Sequence, residues 1–275
     1  MTFIAVCMKW VSGRPEIDAL SGEVREQNSR FGGVSAADQA ALEMALRIGT
    51  ERSMDVTAIT VGGTQSEPIL YDALAAGATL ATRIDSAHFL SSAETARVMA
   101  PALADAAYIF CGDYSNDRGS GSVPAFLAAE LGVRQALGVV ALTTQVDSIL
   151  LTRRLGGGRR EHSRVTDRAV ISVEGSVARL RRASLANSLS TRDNRIHVIP
   201  LTISTPRGAT TCKPFRPRPR TISRPHGETA LQRIHAITDV ASASARGEQI
   251  ELTSAKSAQY ILQTLARWGY IDRAQ

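Results

Sequence analysis

The sequence predicts a doubly wound, mostly parallel α/β sheet with an antiparallel extension, followed by an extended arm and C-terminal helices. Three observations carry that prediction. Up to Gly132, short apolar runs alternate with alanine-rich helical patterns, the signature of parallel strands joined by right-handed crossovers. The runs are continuously apolar, as strands buried on both faces are. Beyond Gly132, short strands separated by turn signals replace the helices, as in an antiparallel addition.

The elements follow in order. Thr2 to Cys7 reads as the first strand and ends at Lys9 and Trp10, where open α/β sheets meet ligands. Ser12 to Gly33 holds Gly, Pro and alternating charges without a period, and reads as a long loop or hairpin. Ser35 caps a helix whose stripe is Ala36, Ala40, Ala41, Leu42, Ala45, Leu46 and Ile48, with Asp38 in its first turn. Val56 to Val61 is a second strand closed by Gly62-Gly63, and Ser66 to Ala76 a helix ended by Gly77. A strand at Ala81 to Ile84 and a helix at Ser92 to Ala104 lead to the stretch Ala107–Gly132, AYIFCGDYSNDRGSGSVPAFLAAELG.

That stretch organises the chain. Tyr108 to Cys111 is a buried strand, Gly112 to Arg118 are turn formers, and a helix starts at Val123 with Pro124 tolerated in its first turn. A strand, a Gly/Ser loop and a helix N-terminus can hold phosphate, because free backbone N–H groups and the helix dipole face the anion. The same pattern also suits an ordinary connection, and it is neither a P-loop nor GxGxxG. Three strand ends, Cys7–Lys9, Val61–Gly63 and Gly112–Ser122, should assemble where a doubly wound sheet seats a nucleotide.

Farther on, Val139–Leu142, Ile149–Arg154 and Ala169–Val173 read as the antiparallel extension, with Gly156-Gly157-Gly158 between the last two. Arg179 to Arg195 is arginine-rich around an exposed-looking Ser184-Leu185-Ala186-Asn187. KPFRPRPR, within Pro206–Pro225, rules out a compact element and predicts an extended arm. Two helical patterns close the chain, Glu228–Val240 and Ser254–Trp268, the second with an apolar face of Tyr260, Ile261, Leu265 and Trp268. Domain organisation is therefore read as 1–205 plus 206–275.

Composition bounds the function. The 275 residues are 44% apolar, enough for one generous core, and the formal charge of +6 points to anionic partners. Three distant cysteines argue against a disulfide framework and fit a reducing cytoplasm. The opening MTFIAVCMKW is too short and too soon interrupted for a signal peptide, and no run reaches a membrane span. The five histidines show no metal-ligand spacing and there is no CxxC, so no metal is expected. No serine sits in a GxSxG elbow, so a catalytic nucleophile has no support. The arginines lack interleaved aromatics, and a solvated or partner-facing surface is preferred to nucleic-acid binding. What survives is a nucleotide pocket without a catalytic residue, hence a binding or carrier protein rather than an enzyme.

Seven co-linear motifs over roughly residues 1–200 resemble the β subunit of electron-transfer flavoproteins. AVCMKWV resembles that family's first strand ending in CVK, and SAADQAALE its NPYDExALE. ITVG resembles VTVGP, and ALAAGATLATRID resembles ALAMGADRAVLID. DRGSGSVPAFLAAELG resembles GDTGQVGPxLAELLG, LTRRLGGG the VxREVEGG hairpin, and ASLANSL the family's PSLPGIM. The resemblance implies pairing with an α subunit that carries most of a redox-active FAD. It implies AMP, or a second FAD, in the pocket of this chain. Electrons would then pass from a flavin-dependent dehydrogenase to a redox acceptor. By position it nominates Cys7, Lys9, Ser35, Ala36, Ala37, Asp38, Val61, Gly119, Ser120, Gly121, Ser122 and Val123 as nucleotide contacts. Leu185 falls on the leucine that anchors the dehydrogenase, and the C-terminal segment on the part that reaches the α subunit. A stand-alone adenine-nucleotide-binding regulator is the alternative.

The sequence departs from the family at several of these places. NP has become Ser35-Ala36, TGQ has become Ser120-Gly121-Ser122, and a basic residue after the strand is Asp113. The hairpin acid is Gly156, a proline is Arg168, and a lysine-rich run is Ser190-Thr191-Arg192-Asp193-Asn194. Such changes point to a divergent paralogue with its own partner.

Overall fold

The structure, a computed structural model, describes residues 2–13, 16–18, 20–21, 24–25, 32–86, 90–191, 196–201, 224–225, 227–238 and 250–271. The chain divides into two compact units, 1–215 and 216–275.

In the first unit, β1 (Phe3–Cys7) leads into an excursion of paired two-residue strands. There β2 (Val11–Ser12) pairs antiparallel with β5 (Gly32–Gly33), and β3 (Glu16–Ile17) with β4 (Val24–Arg25). Then come α1 (Ala36–Arg52), β6 (Val56–Gly62), α2 (Glu67–Ala76), β7 (Leu80–Asp85), α3 (Ser92–Met99), β8 (Ala106–Gly112) and α4 (Val123–Leu131). The extension follows as β9 (Arg134–Thr144), β10 (Ile149–Arg154) and β11 (Arg160–Val165), before β12 (Ala169–Val173), α5 (Leu185–Ser190) and β13 (His197–Pro200). Nine of these strands form one sheet, ordered β11-β10-β9-β12-β8-β1-β6-β7-β13.

Each core strand sends alternate side chains to two apolar layers. Ile4, Val6, Tyr108, Phe110 and Ile171 meet α1 and α2 on one face. Ala5, Ile59, Ile109 and Val170 meet α3 and α4 on the other. The sheet is thus doubly wound, and its strands read as unbroken apolar runs because both faces are buried.

The helices begin and end where their sequence dictates. Ser35 caps α1 by accepting from the Asp38 N–H, and Ser91 with Glu94 closes a capping box on α3. Ser53 ends α1 in the left-handed region, and Gly77 ends α2. Ala36, expected in the α1 stripe, is instead exposed, since it is the first helical residue and lies beyond the core. The third helix is shorter than its pattern, turning 3-10 at Ala100–Leu103 where Pro101 intervenes.

Two strand readings need correction. Ala169–Val173 does not belong to the antiparallel extension; it inserts parallel between β8 and β9 and is fully buried. Its run AVISV is that of a buried parallel strand. The extension is completed by Arg160–Val165, whose REHSRV carries too little apolar signal to read as a strand but pairs residue for residue with β10. The edge strand His197–Pro200, parallel to β7, was likewise not expected.

Several arginines act as structural pins. Arg181 donates from its backbone N–H and guanidinium to the buried Glu43 of α1, which also accepts from Arg47. Arg168 donates to the carbonyls of Ala106 and Leu103. Arg52 donates to the Tyr108 hydroxyl and to the carbonyls of Gln145 and Ser148, fixing the β9–β10 turn.

The second unit holds α6 (Ala230–Thr238) and α7 (Ser254–Arg267). Leu231, Ile234 and Ile237 of α6 are exposed, as are Tyr260, Ile261 and Leu262 of α7 and Trp268 after it. The KPFRPRPR segment lies outside the described residues.

Candidate functional site

Sheet order fixes where a ligand can enter. The chain runs from β1 outward to β6 and β7, then crosses back so that β8 pairs with β1 on its other side. α1 therefore leaves the C-terminal ends of the strands on one face, and α3 and α4 pack on the opposite face. At such a reversal the two sets of helices diverge and leave a crevice. The three strand ends expected to meet, those of β6, β1 and β8, are adjacent in the sheet.

Asp38 ties this end together. Its carboxylate accepts from the Lys9 backbone N–H at 3.0 Å and the Gly112 N–H at 3.2 Å, joining the ends of β1 and β8 to α1. Its own N–H donates to the Ser35 hydroxyl, which in turn donates to the Tyr114 carbonyl at 3.0 Å. Burial pushes the Asp38 carboxyl up to about 7, against the pull of those two backbone donors and the Lys9 charge. Only glycine fits at 112, where a Cβ would lie 2.5 Å from the Asp38 carboxylate. Beyond β12, a Cβ on Gly175 would lie 3.0 Å from that of Ala36 and 3.1 Å from the Ala37 nitrogen, so this strand end presses on the start of α1.

The loop after β8 is held from below. The Lys9 ammonium pairs with Asp117 at 2.5 Å. Burial would raise the Asp117 carboxyl, but Lys9, Ser115 and the Arg118 N–H together hold it below the usual range. The Asp113 N–H donates to the Val173 carbonyl at 3.1 Å, and Arg118 donates to the Leu90 carbonyl. Burial and the neighbouring Glu174 raise the Asp113 carboxyl. The loop then passes through Gly119 at φ 63° and Gly121 at φ 55°, both left-handed. A Cβ on Gly121 would strike the Asp113 carbonyl at 2.1 Å, so this turn requires glycine. The Ser120 and Ser122 hydroxyls lie 3.1 Å apart at the start of α4, and Ser122 makes no capping bond of its own.

The sequence-nominated residues therefore divide in two. Lys9, Ala36, Val61, Gly119, Ser120, Gly121, Ser122 and Val123 keep some exposed surface. Cys7, Ser35, Ala37 and Asp38 are buried. Cys7 lies in register with Cys111 on β8 within the second apolar layer; the hydrogen bond to Cys7 and burial push the Cys111 thiol well up. Ser35 and Asp38 spend their polar atoms on the loop and the strand ends. Sequence reasoning placed Gly112 and Asp117 in the site-forming stretch without giving them roles, and missed Gly175, because these roles depend on partners far along the chain. Two cavities, of about 370 and 520 Å³, lie on the β9–β11 extension and at the opposite ends of β8 and β12, and no nominated residue lines either. Among the described residues, no group of three or more His, Cys, Asp or Glu could hold a metal ion, and no helix is long and apolar enough to cross a membrane.

Leu185 stands apart from the crevice. It opens α5, is 75% exposed, and shares its face with the exposed Leu189 one turn on. Ser184 caps this short helix, and α5 packs against α2, with the Asn187 amide donating to the Ala75 carbonyl.

Comparison with known proteins agrees with this architecture. The chain is 30% identical over 129 residues to the electron transfer flavoprotein subunit beta of Thermoanaerobacterium thermosaccharolyticum. The match takes in 46% of this chain and 50% of that protein, so the chain spans about half the length of the curated relative it matches. The electron transfer flavoprotein domain model matches residues 26–202, more than half of the chain and the whole of α1 through β13. The chain thus belongs to the electron transfer flavoprotein family, as a divergent member related to its β subunits.

Proposed function

We propose that this chain is the β subunit of a heterodimeric electron-transfer flavoprotein and that the crevice between β1 and β8 binds an adenine nucleotide, AMP or a second FAD. The observation that carries the reading is the loop at Gly119–Ser122. Two left-handed glycines and two neighbouring hydroxyls lie there at the start of α4, where Ser122 makes no side-chain cap, and the Lys9 ammonium pairs with Asp117 earlier in the same loop. Those groups fit a phosphate, which takes backbone N–H donors, hydroxyls and the positive end of a helix.

In this reading Gly119, Ser120, Gly121, Ser122 and Val123 hold the phosphate, and Ala36 and Val61 flank the nucleoside. Lys9 supplies a cation. Cys7, Ser35, Ala37 and Asp38 position the strand ends without touching the ligand. The FAD held jointly with an α subunit supplies the redox chemistry. This chain's residues orient the complex, exclude water from the nucleotide and present Leu185 to a flavin-dependent dehydrogenase. The exposed faces of α6 and α7 contribute contacts to the α subunit.

The test is co-expression of the full chain with an α-subunit candidate. The reading predicts a co-purifying heterodimer with flavin absorbance that a partner dehydrogenase reduces. A chain that stays alone, with no flavin in any complex, would overturn it.

A further inference from the structure

We infer that Tyr114 is the specificity-determining residue of this crevice, the platform on which the nucleotide's aromatic base stacks; the inference rests on the nucleotide reading above and adds to it the residue that recognises the base. Tyr114 stands two residues beyond β8, at the C-terminal edge of the sheet. Its backbone is clamped, since its carbonyl accepts from the buried Ser35 hydroxyl at 3.0 Å. Its ring lies along the turn that leads into the phosphate cradle. A Cβ on Gly119 would sit 3.2 Å from Cε2 and 3.7 Å from Cδ2, so glycine at 119 lets the ring settle on the main chain. The Gly119 N–H donates to the Ser115 carbonyl at 2.9 Å, which closes this turn under the ring.

One side of the ring is thus supported while Tyr114 remains 49% exposed, and its hydroxyl makes no hydrogen bond among the described residues. An aromatic held in place with surface to spare forms a stacking platform at low entropic cost, since it has only two side-chain torsions to fix. Trp10, another ring near these strand ends, is already committed. Trp10 packs on the first apolar layer and covers Gly32, where a Cβ would lie 2.4 Å from its Nε1. Stacking is indifferent to ring edges, so the platform selects a planar base over a sugar phosphate without discriminating among purines.

The experiment titrates the full-length chain with AMP and, separately, with ribose 5-phosphate, which keeps the phosphate and sugar but lacks the base. Tyr114→Ala should weaken AMP binding about tenfold or more while leaving ribose 5-phosphate within about twofold, and Tyr114→Phe should match the unaltered chain for both. Unchanged AMP affinity in Tyr114→Ala overturns the inference, as does an equal loss for both ligands, which would mean a disturbed loop. A Tyr114→Phe loss as large as that of Tyr114→Ala would assign the role to the hydroxyl and overturn it too. If the unaltered chain binds neither ligand, the nucleotide reading fails and takes this inference with it; if it binds AMP and the alanine variant binds it equally, only the inference fails.

Discussion

At the residue scale, the groups that set the crevice are buried ones with short-range tasks. Asp38 is the clearest case. A carboxyl whose folded value is raised binds its proton more tightly in the folded chain than in the unfolded one. Its stabilising contribution is therefore full below the ordinary aspartate value of 3.8 and is lost as pH rises to about 7. Asn keeps the shape but offers one acceptor where two N–H groups arrive, so Asp38→Asn should cost roughly 1–3 kcal/mol for a donor left unsatisfied. Unfolding both proteins in urea at pH 4.5 and pH 8 checks this. The unaltered chain should lose more of its stability than the variant over that interval, and equal losses would show that Asp38 does not titrate there. Gly121 makes a different demand, because the obstruction begins at Cβ, 2.1 Å from the Asp113 carbonyl. Gly121→Ala should thus lower nucleotide occupancy nearly as much as Gly121→Val. A tolerant alanine variant, measured by released nucleotide, would show that this loop is not the cradle. The sequence placed Gly121 in the Gly/Ser loop but did not reveal its collision partner, because the fit depends on a chain crossing rather than on composition.

At the scale of elements, legibility followed how locally each one is determined. α1 and its Ser35 cap, the C-terminal glycine of α2 and the strand–loop–helix from β8 to α4 are written in adjacent residues, and they stand where the pattern put them. β11 and β13 are not, because their identity comes from the neighbour they pair with. β12 was found as a strand but given the wrong neighbours, since a buried AVISV does not say which edge it enters. α5 was seen only as an exposed loop, and packing on α2 turns it into a capped helix. Leu185, 75% exposed on that helix, supports little of its own core. Leu185→Ala should leave stability within about 0.5 kcal/mol and lower the rate of flavin reduction by the dehydrogenase several-fold, as loss of an apolar anchor does at an interface. An unchanged rate in stopped-flow would remove α5 from the recognition surface.

At the scale of the molecule, the doubly wound class and the strand ends that line the crevice were legible, because alternation and apolar runs dictate them. The nominated residues fall on adjacent strand ends and on the loop before α4, and the split between exposed and buried ones was not legible. The second unit adds α6 and α7, whose exposed apolar faces want an apolar surface to cover them. Removing residues 207–275 should leave a folded nucleotide unit that binds the α subunit at least tenfold more weakly, and equal dissociation constants by calorimetry would leave the tail without that role. On the function proposed above, the crevice between β1 and β8 holds an adenine nucleotide within a heterodimer. Denaturing the purified heterodimer and measuring released nucleotide by mass, for the unaltered chain and for Gly121→Val, tests this most directly. We expect about one AMP, or one FAD beyond that of the α subunit, per unaltered β chain, and loss of that nucleotide in the variant with the α-subunit FAD retained. Equal nucleotide content in both proteins, or none beyond the α-subunit FAD in either, would contradict it.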